Sequence, residues 1–208
     1  MKPSFRIEGF IGEGTATAAE VATFLADNPG PVQIVVNSPG GVASEGAAIF
    51  AELERRAGVE VLVEGIAASA ASLAAVGGAE IVMHSAAMMM IHEPSGMTFG
   101  PAAQHRKSVE TLEQLTAVYA AAYARATGNS TANLRRWMAE ETWLSAEEAL
   151  ALNFCDRIEA GERRAPEPVA FDYSIFREPP FELLELTRLH GWGGKAKKPA
   201  SSGVKTDA

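Results

Sequence analysis

The stretch Val59-Glu-Val-Leu-Val-Glu-Gly-Ile-Ala-Ala-Ser-Ala-Ala-Ser72 decides the fold. It opens on an apolar, β-branched run, residues 59–63, with the pattern of a buried strand, and breaks at Gly65 into small residues. Residues 70–76 then read as a helix stopped by Gly77-Gly78. Ser69 therefore stands where a strand turns into a helix. The first N–H groups of a helix have no partner within it, and the aligned peptide dipoles leave partial positive charge there. An oxyanion forming beside Ser69 would be stabilised, and the surrounding alanines leave room for a substrate backbone. The same position also suits a helix N-cap, a role that serine commonly fills.

The pattern recurs on both sides. Val32-Gln-Ile-Val-Val-Asn37 reads as a second buried strand and runs into Ser38-Pro39-Gly40-Gly41, with a helical pattern starting near Ala43. Paired glycines after a strand allow two backbone N–H groups to point the same way, because glycine takes φ > 0 without a Cβ penalty; they also fit an ordinary turn. A third strand-like run, Met88-Met-Met-Ile91, ends in His92-Glu93-Pro94. Histidines are more often structural than catalytic, but here successive strand ends carry an N–H cradle, a hydroxyl and an imidazole. Strand and helix alternate over residues 32–91, which predicts an α/β fold with parallel strands. In such folds ligands gather at the carboxyl ends of strands, where these groups fall.

Outward from this centre, residues 5–9 alternate as an edge strand. Thr17-x-x-Glu20 reads as a capping box opening a helix with Val21, Phe24 and Leu25 on its apolar face. A helix over 44–57 buries Ile49, Phe50 and Leu53 and stops at Gly58. Pro101 is placed as the first residue of a helix reaching Thr127, with Leu112, Leu115, Tyr119, Ala122 and Tyr123 on one stripe. So long a helix should project from the core. Ser130 caps a helix bearing Leu134, Trp137 and Met138, and Ser145-x-x-Glu148 is a further capping box. Residues 161–168 read as a linker, 179–186 as a short amphipathic segment, and 193–208 as a disordered tail.

Composition removes several classes of function. The 208 residues are 47% hydrophobic and 21% charged, enough for one well-packed domain with an appendage. A net charge of −8 without a basic stripe argues against nucleic acid as a partner. The single cysteine, Cys155, excludes an intramolecular disulfide and a cysteine-based metal cluster, and reads as a small buried hydrophobe. The uncharged stretch 65–79 is too short and too rich in Gly, Ser and Ala to cross a bilayer, and the N-terminus has no signal-peptide pattern. A cytosolic protein is expected, with no membrane partner. Ser72 reads as packing, residues 88–90 as core or pocket lining, His84 as a competing base, His105 as a residue of the long helix, and His190 as incidental.

Asn37-Ser-Pro-Gly-Gly41, Gly65-x-Ala-Ala-Ser69 and Met90-Ile-His92-x-Pro94 resemble, in that order, the three signatures of the Clp protease proteolytic subunit family. The wording Ala-Ala-Ser-Ala-Ala-Ser is closer to the phage-encoded, Clp-like head maturation proteases. The resemblance implies a Clp protease/crotonase-like fold of repeated strand–helix units over residues 1–160 and a projecting handle helix at about 100–128; residues 161–192 read from their texture as a C-terminal extension. It implies a serine endopeptidase with Ser69 as nucleophile and His92 as general base, and an oxyanion hole from Gly40 or Gly41 together with Ala70. The stretch Glu140-Glu141-Thr-Trp143-Leu-Ser145-Ala is similar to the family segment holding the third triad member, which makes that member Glu141. The family usually has aspartate there, and the residues alone do not separate Glu141 from Glu140. The resemblance further implies a polypeptide substrate, stacked six- or seven-fold rings, capsid or scaffold partners in the host cytoplasm for a phage enzyme, and neither metal nor organic cofactor. Two other readings are a coenzyme A thioester enzyme of the crotonase kind and a ring-forming subunit whose chemistry has decayed.

Overall fold

Strand β3 (Val59–Ala68) is the axis of a seven-stranded sheet, and it uses its two halves differently. Its first half pairs in parallel with β4 (Glu80–His84), matching Glu60 to Glu80 and Val63 to Met83. Its second half pairs in parallel with β5 (Met88–Ile91), matching Ile66 to Met88 and Ala68 to Met90. The computed structural model describes residues 2–160 and 168–193. On the other side of β3 lies β2 (Val32–Gly41), and beyond it the edge strand β1 (Ser4–Ile11), both parallel. The short β7 (Arg157–Glu159) extends the sheet beyond β4, and β6 (Thr142–Ser145) pairs antiparallel with β5. Central strands of a parallel sheet are covered on both faces, which is why β2 and β3 are buried along nearly their whole length.

The sequence pattern stops β3 at Gly65, yet the strand continues to Ala68. Between Val36 and Ser38 the register with β3 shifts, and the buried Asn37 side chain fills the gap by accepting the Ile66 N–H at 3.2 Å. A Cβ on Gly65 would lie 2.6 Å from Asn37 Oδ1, so glycine there makes room for the amide rather than ending the strand.

The crossover helices are α1 (Ala18–Asp27), α2 (Ala43–Glu54) and α3 (Ala70–Ala75). Thr17 Oγ1 accepts the Glu20 N–H, as a cap should, while the Ala18 N–H goes to Glu45 Oε2 at 2.9 Å. Helix α2 ends at Glu54, three residues short of the expected end, and buries Ile49, Phe50 and Leu53. Its Gly46 packs so closely on α3 that a Cβ would lie 2.6 Å from the Ala70 carbonyl oxygen.

Helix α4 (Ala102–Thr127) has 26 residues, begins after rather than at Pro101, and ends at Gly128 with φ 72°. No residue of it before Thr116 is buried, whereas Tyr119, Ala120, Ala122 and Tyr123 lie in the core. The projecting part is therefore its first half, and the expected stripe is buried only from Tyr119 on; Leu112 and Leu115 are half-exposed. Helix α5 (Thr131–Glu140) is capped by Ser130, and α6 (Ala146–Ala151) begins with both arms of the Ser145/Glu148 capping box formed.

A second compact unit begins at Ala170. Within it a 3₁₀ turn (Tyr173–Ile175) and α7 (Phe181–His190) are tied by the Tyr173 N–H donating to Thr187 Oγ1 at 3.3 Å, and Phe171 meets the rings of Tyr173 and Phe176 at 5.3 and 5.9 Å. The amphipathic segment expected at 179–186 is thus a longer helix. Most of the proposed linker, residues 161–167, and the proposed tail from residue 194 on lie outside the described residues.

Candidate active site

Ser69 leaves β3 with φ 57° and ψ −124°, a backbone conformation outside the left-handed helical well. A non-glycine residue held there costs about 1–3 kcal/mol and persists only when its surroundings fix it. Here the Ser69 N–H donates to the Met90 carbonyl at 2.9 Å, and the Ser69 carbonyl accepts the N–H groups of Ser72 and Leu73. The residue occupies the N-cap position of α3, but its side chain makes no capping bond. Instead Ser69 Oγ lies 2.7 Å from His92 Nε2. The ordinary cap reading of this serine does not hold.

His92 reaches that point because β5 runs beside the end of β3, so that the residue just past each strand faces the other. The antiparallel pairing of β5 with β6 matches Ile91 to Thr142. One step further along the same register His92 faces Glu141, with Nδ1 3.9 Å from Glu141 Oε2, an ion-pair separation. Glu141 is 8% exposed and sits at the left-handed turn between α5 and β6, φ 54°. Glu140, the last residue of α5, is exposed. The turn thus aims the second of the two neighbouring carboxylates at the imidazole. His84 ends β4, where its Nδ1 accepts the Ala86 N–H at 3.1 Å within a turn. His105 lies on the exposed half of α4, and His190 stacks on Trp192 at 4.9 Å in the second unit.

The glycine pair completes the cluster. Ser38 Oγ donates to the Gly9 carbonyl at 2.6 Å and accepts the Gly40 N–H at 3.1 Å, which commits that N–H. Gly40 has φ 99°, and a Cβ there would lie 2.6 Å from Ser69 Cβ, 2.6 Å from the Ala68 carbonyl oxygen and 3.1 Å from Ala70 N. A Cβ on Gly41 would lie 2.3 Å from the Ile11 carbonyl oxygen, which itself accepts the Val42 N–H at 2.9 Å. Gly40→Ala is expected to cost more than ~1 kcal/mol and to displace Ser69. Gly9→Ala is the control, since Gly9 has φ 80° but nothing within 4 Å of the added carbon. Thermal unfolding and fluorophosphonate labelling of both variants check this; equal effects would show that backbone conformation alone, not the contact with Ser69, sets the cost.

Three hydroxyls whose bonds the sequence does not show, those of Ser72, Tyr123 and Tyr119, lie behind these groups. Ser72, read as packing, has its Oγ 2.7 Å from the Ser69 carbonyl oxygen, 2.7 Å from that of Met90 and 2.8 Å from Tyr123 Oη. One turn earlier on α4, Tyr119 donates to the Ala43 carbonyl at 2.7 Å, just past the glycine pair. A Ser-x-x spacing after the nucleophile was visible; its partner 51 positions away was not. Cys155 is buried, with Sγ 3.8 Å from the Ala146 carbonyl oxygen, and burial followed by the Asp156 charge pushes its thiol up to about 11, so it is no thiolate nucleophile.

The arrangement can do acyl transfer: a hydroxyl on a hydrogen-bonded imidazole, a carboxylate behind the imidazole, and backbone N–H groups beside the hydroxyl. The family model described as Clp protease matches residues 14–162. Over 145 residues the chain is 32% identical to the ATP-dependent Clp protease proteolytic subunit 1 of Protochlamydia amoebophila (strain UWE25), covering 64% of this chain and 68% of that protein. Among the described residues no helix is long and apolar enough to cross a membrane.

Proposed function

Because the chain belongs to the Clp protease family and is a serine-type peptidase, we propose that it cleaves polypeptides through a triad of Ser69, His92 and Glu141. The observation that carries this reading is the 2.7 Å contact between Ser69 Oγ and His92 Nε2 on a strained strand-to-helix turn. His92 takes the Ser69 proton as Oγ attacks the scissile carbonyl, then returns it to the leaving amine; water attacks the acyl-enzyme by the same route in reverse. Glu141 keeps Nδ1 protonated and stabilises the imidazolium. Gly41 and Ala70 donate their N–H groups to the oxyanion. Gly40, whose N–H is held by Ser38, serves by lacking a side chain. The chemistry itself consumes no nucleotide.

A substrate strand lying beside Gly41-Val42 would bind through its backbone, with little sequence preference. The exposed first half of α4 supports assembly, since its half-exposed leucines 112 and 115 and the 54%-exposed Val109 gain a partner when rings stack. The Ala-Ala-Ser-Ala-Ala-Ser wording supports the narrower reading of a phage head maturation protease acting on capsid or scaffold proteins in the host cytoplasm. The Ser69–His92 contact favours a peptidase over a decayed ring subunit or a coenzyme A thioester enzyme, neither of which needs a hydroxyl held on an imidazole.

The test is covalent. A fluorophosphonate should add one phosphonyl group per chain, mapped to Ser69 by peptide mass. Absence of an adduct on the assembled protein, or an adduct on another residue, would reject the assignment.

A further inference from the structure

We propose that Ser72 and Tyr123 form a buried hydroxyl relay that positions Ser69 and His92, making both residues positioning residues for hydrolysis; the inference rests on the peptidase reading above. Tyr123 is fully buried on α4, and among the described residues its hydroxyl's hydrogen-bond partner is Ser72 Oγ at 2.8 Å. The two carbonyl oxygens beside Ser72 Oγ can only accept, so the Ser72 proton goes to them and the Tyr123 hydroxyl, kept protonated by burial, donates to Ser72. Ser72, itself 0% exposed, is left with its own single proton for two carbonyl oxygens, each 2.7 Å away.

Those two carbonyls are the ones that matter for the reacting groups. One belongs to Ser69, whose φ of 57° must be imposed from outside. The other belongs to Met90, two positions before His92, and it also receives the Ser69 N–H at 2.9 Å. The Ser72 hydroxyl thus joins the backbone carrying the nucleophile to the backbone carrying the base, and Tyr123 sets the direction in which its proton points. Packing alone does not call for these hydroxyls, since alanine and phenylalanine have nearly the same shapes. Buried hydroxyls cost free energy unless paired, and this pair is spent on holding one strained turn against one strand.

The experiment compares Ser72→Ala and Tyr123→Phe with wild type in the assembled protein, using peptide turnover and the rate of fluorophosphonate labelling. Displacements of about 1 Å cost on the order of 10²-fold, so each variant should lose about 10- to 100-fold in kcat and labelling rate, with KM within about twofold. Because both act through one chain, the double variant should be no slower than the worse single. Phe154→Leu is the packing control, its ring lying 5.8 Å from that of Tyr123 and carrying no hydrogen-bonding group. Wild-type kinetics in both hydroxyl variants would overturn the inference, and so would an equal loss of kcat in Phe154→Leu. Wild-type protein that takes no label would overturn the peptidase reading and this inference with it. Wild-type protein that labels while both variants match it overturns this inference alone.

Discussion

Ser69→Ala and His92→Ala are each expected to lower kcat on a fluorogenic peptide by about 10⁶-fold, and the double variant to be no worse than either single. The nucleophile and base act as one unit: an imidazole without a hydroxyl at 2.7 Å has no proton to take, and a hydroxyl without the imidazole stays a weak nucleophile. Neither change removes a large buried apolar group, because Ser69 keeps its Cβ and the His92 side chain is 20% exposed. Unfolding temperature and assembly state should therefore stay close to wild type, which separates lost chemistry from lost structure. The measurement is single-turnover cleavage at saturating peptide. If His92→Ala kept a hundredth of wild-type kcat, the base would have to be sought elsewhere, with His84 the next candidate along the chain.

Glu141→Gln should lower kcat by about 10⁴-fold, the scale seen when the orienting carboxylate of a triad is made neutral. A glutamine has nearly the same shape, so the loss is electronic: an amide N–H facing Nδ1 selects the tautomer that puts a proton on Nε2, where Ser69 needs an acceptor. Glu140→Gln, on the exposed end of α5, should stay within about twofold of wild type. The 3.9 Å between Nδ1 and Oε2 is longer than a hydrogen bond, and triads commonly tighten only with substrate bound. A large loss in Glu140→Gln with Glu141→Gln unaffected would exchange the two assignments.

Much of this was legible along the chain because it is local. The apolar runs 32–37, 59–63 and 88–91 lie within observed strands, and the Ser145/Glu148 cap formed with both arms, since each depends on neighbours a few residues away. The three family signatures fell at strand ends in the right order, and the family match agrees with them. What failed depended on partners remote in sequence or on an uncommon backbone conformation. Residues 64–68, Glu-Gly-Ile-Ala-Ala, carry no strand pattern of their own, and they are extended because β5 and the Asn37 amide supply their partners. Ser69 looked like a cap because serine at a helix start usually is one; its φ of 57° turns the hydroxyl elsewhere.

By itself, then, the order of residues determined the alternation of strands and helices, the family, and which serine, histidine and glycines stand at strand ends. Tertiary structure alone decided that Glu141 rather than Glu140 faces His92, that Gly40 spends its N–H on Ser38, and that Ser72 meets Tyr123. The reason is the range of the forces involved. Helix and strand preferences arise within a few residues, whereas the register between β5 and β6 and the approach of α4 to α3 join segments about fifty residues apart; a shift of one residue would aim a different side chain at the imidazole in the first case and at Ser72 in the second.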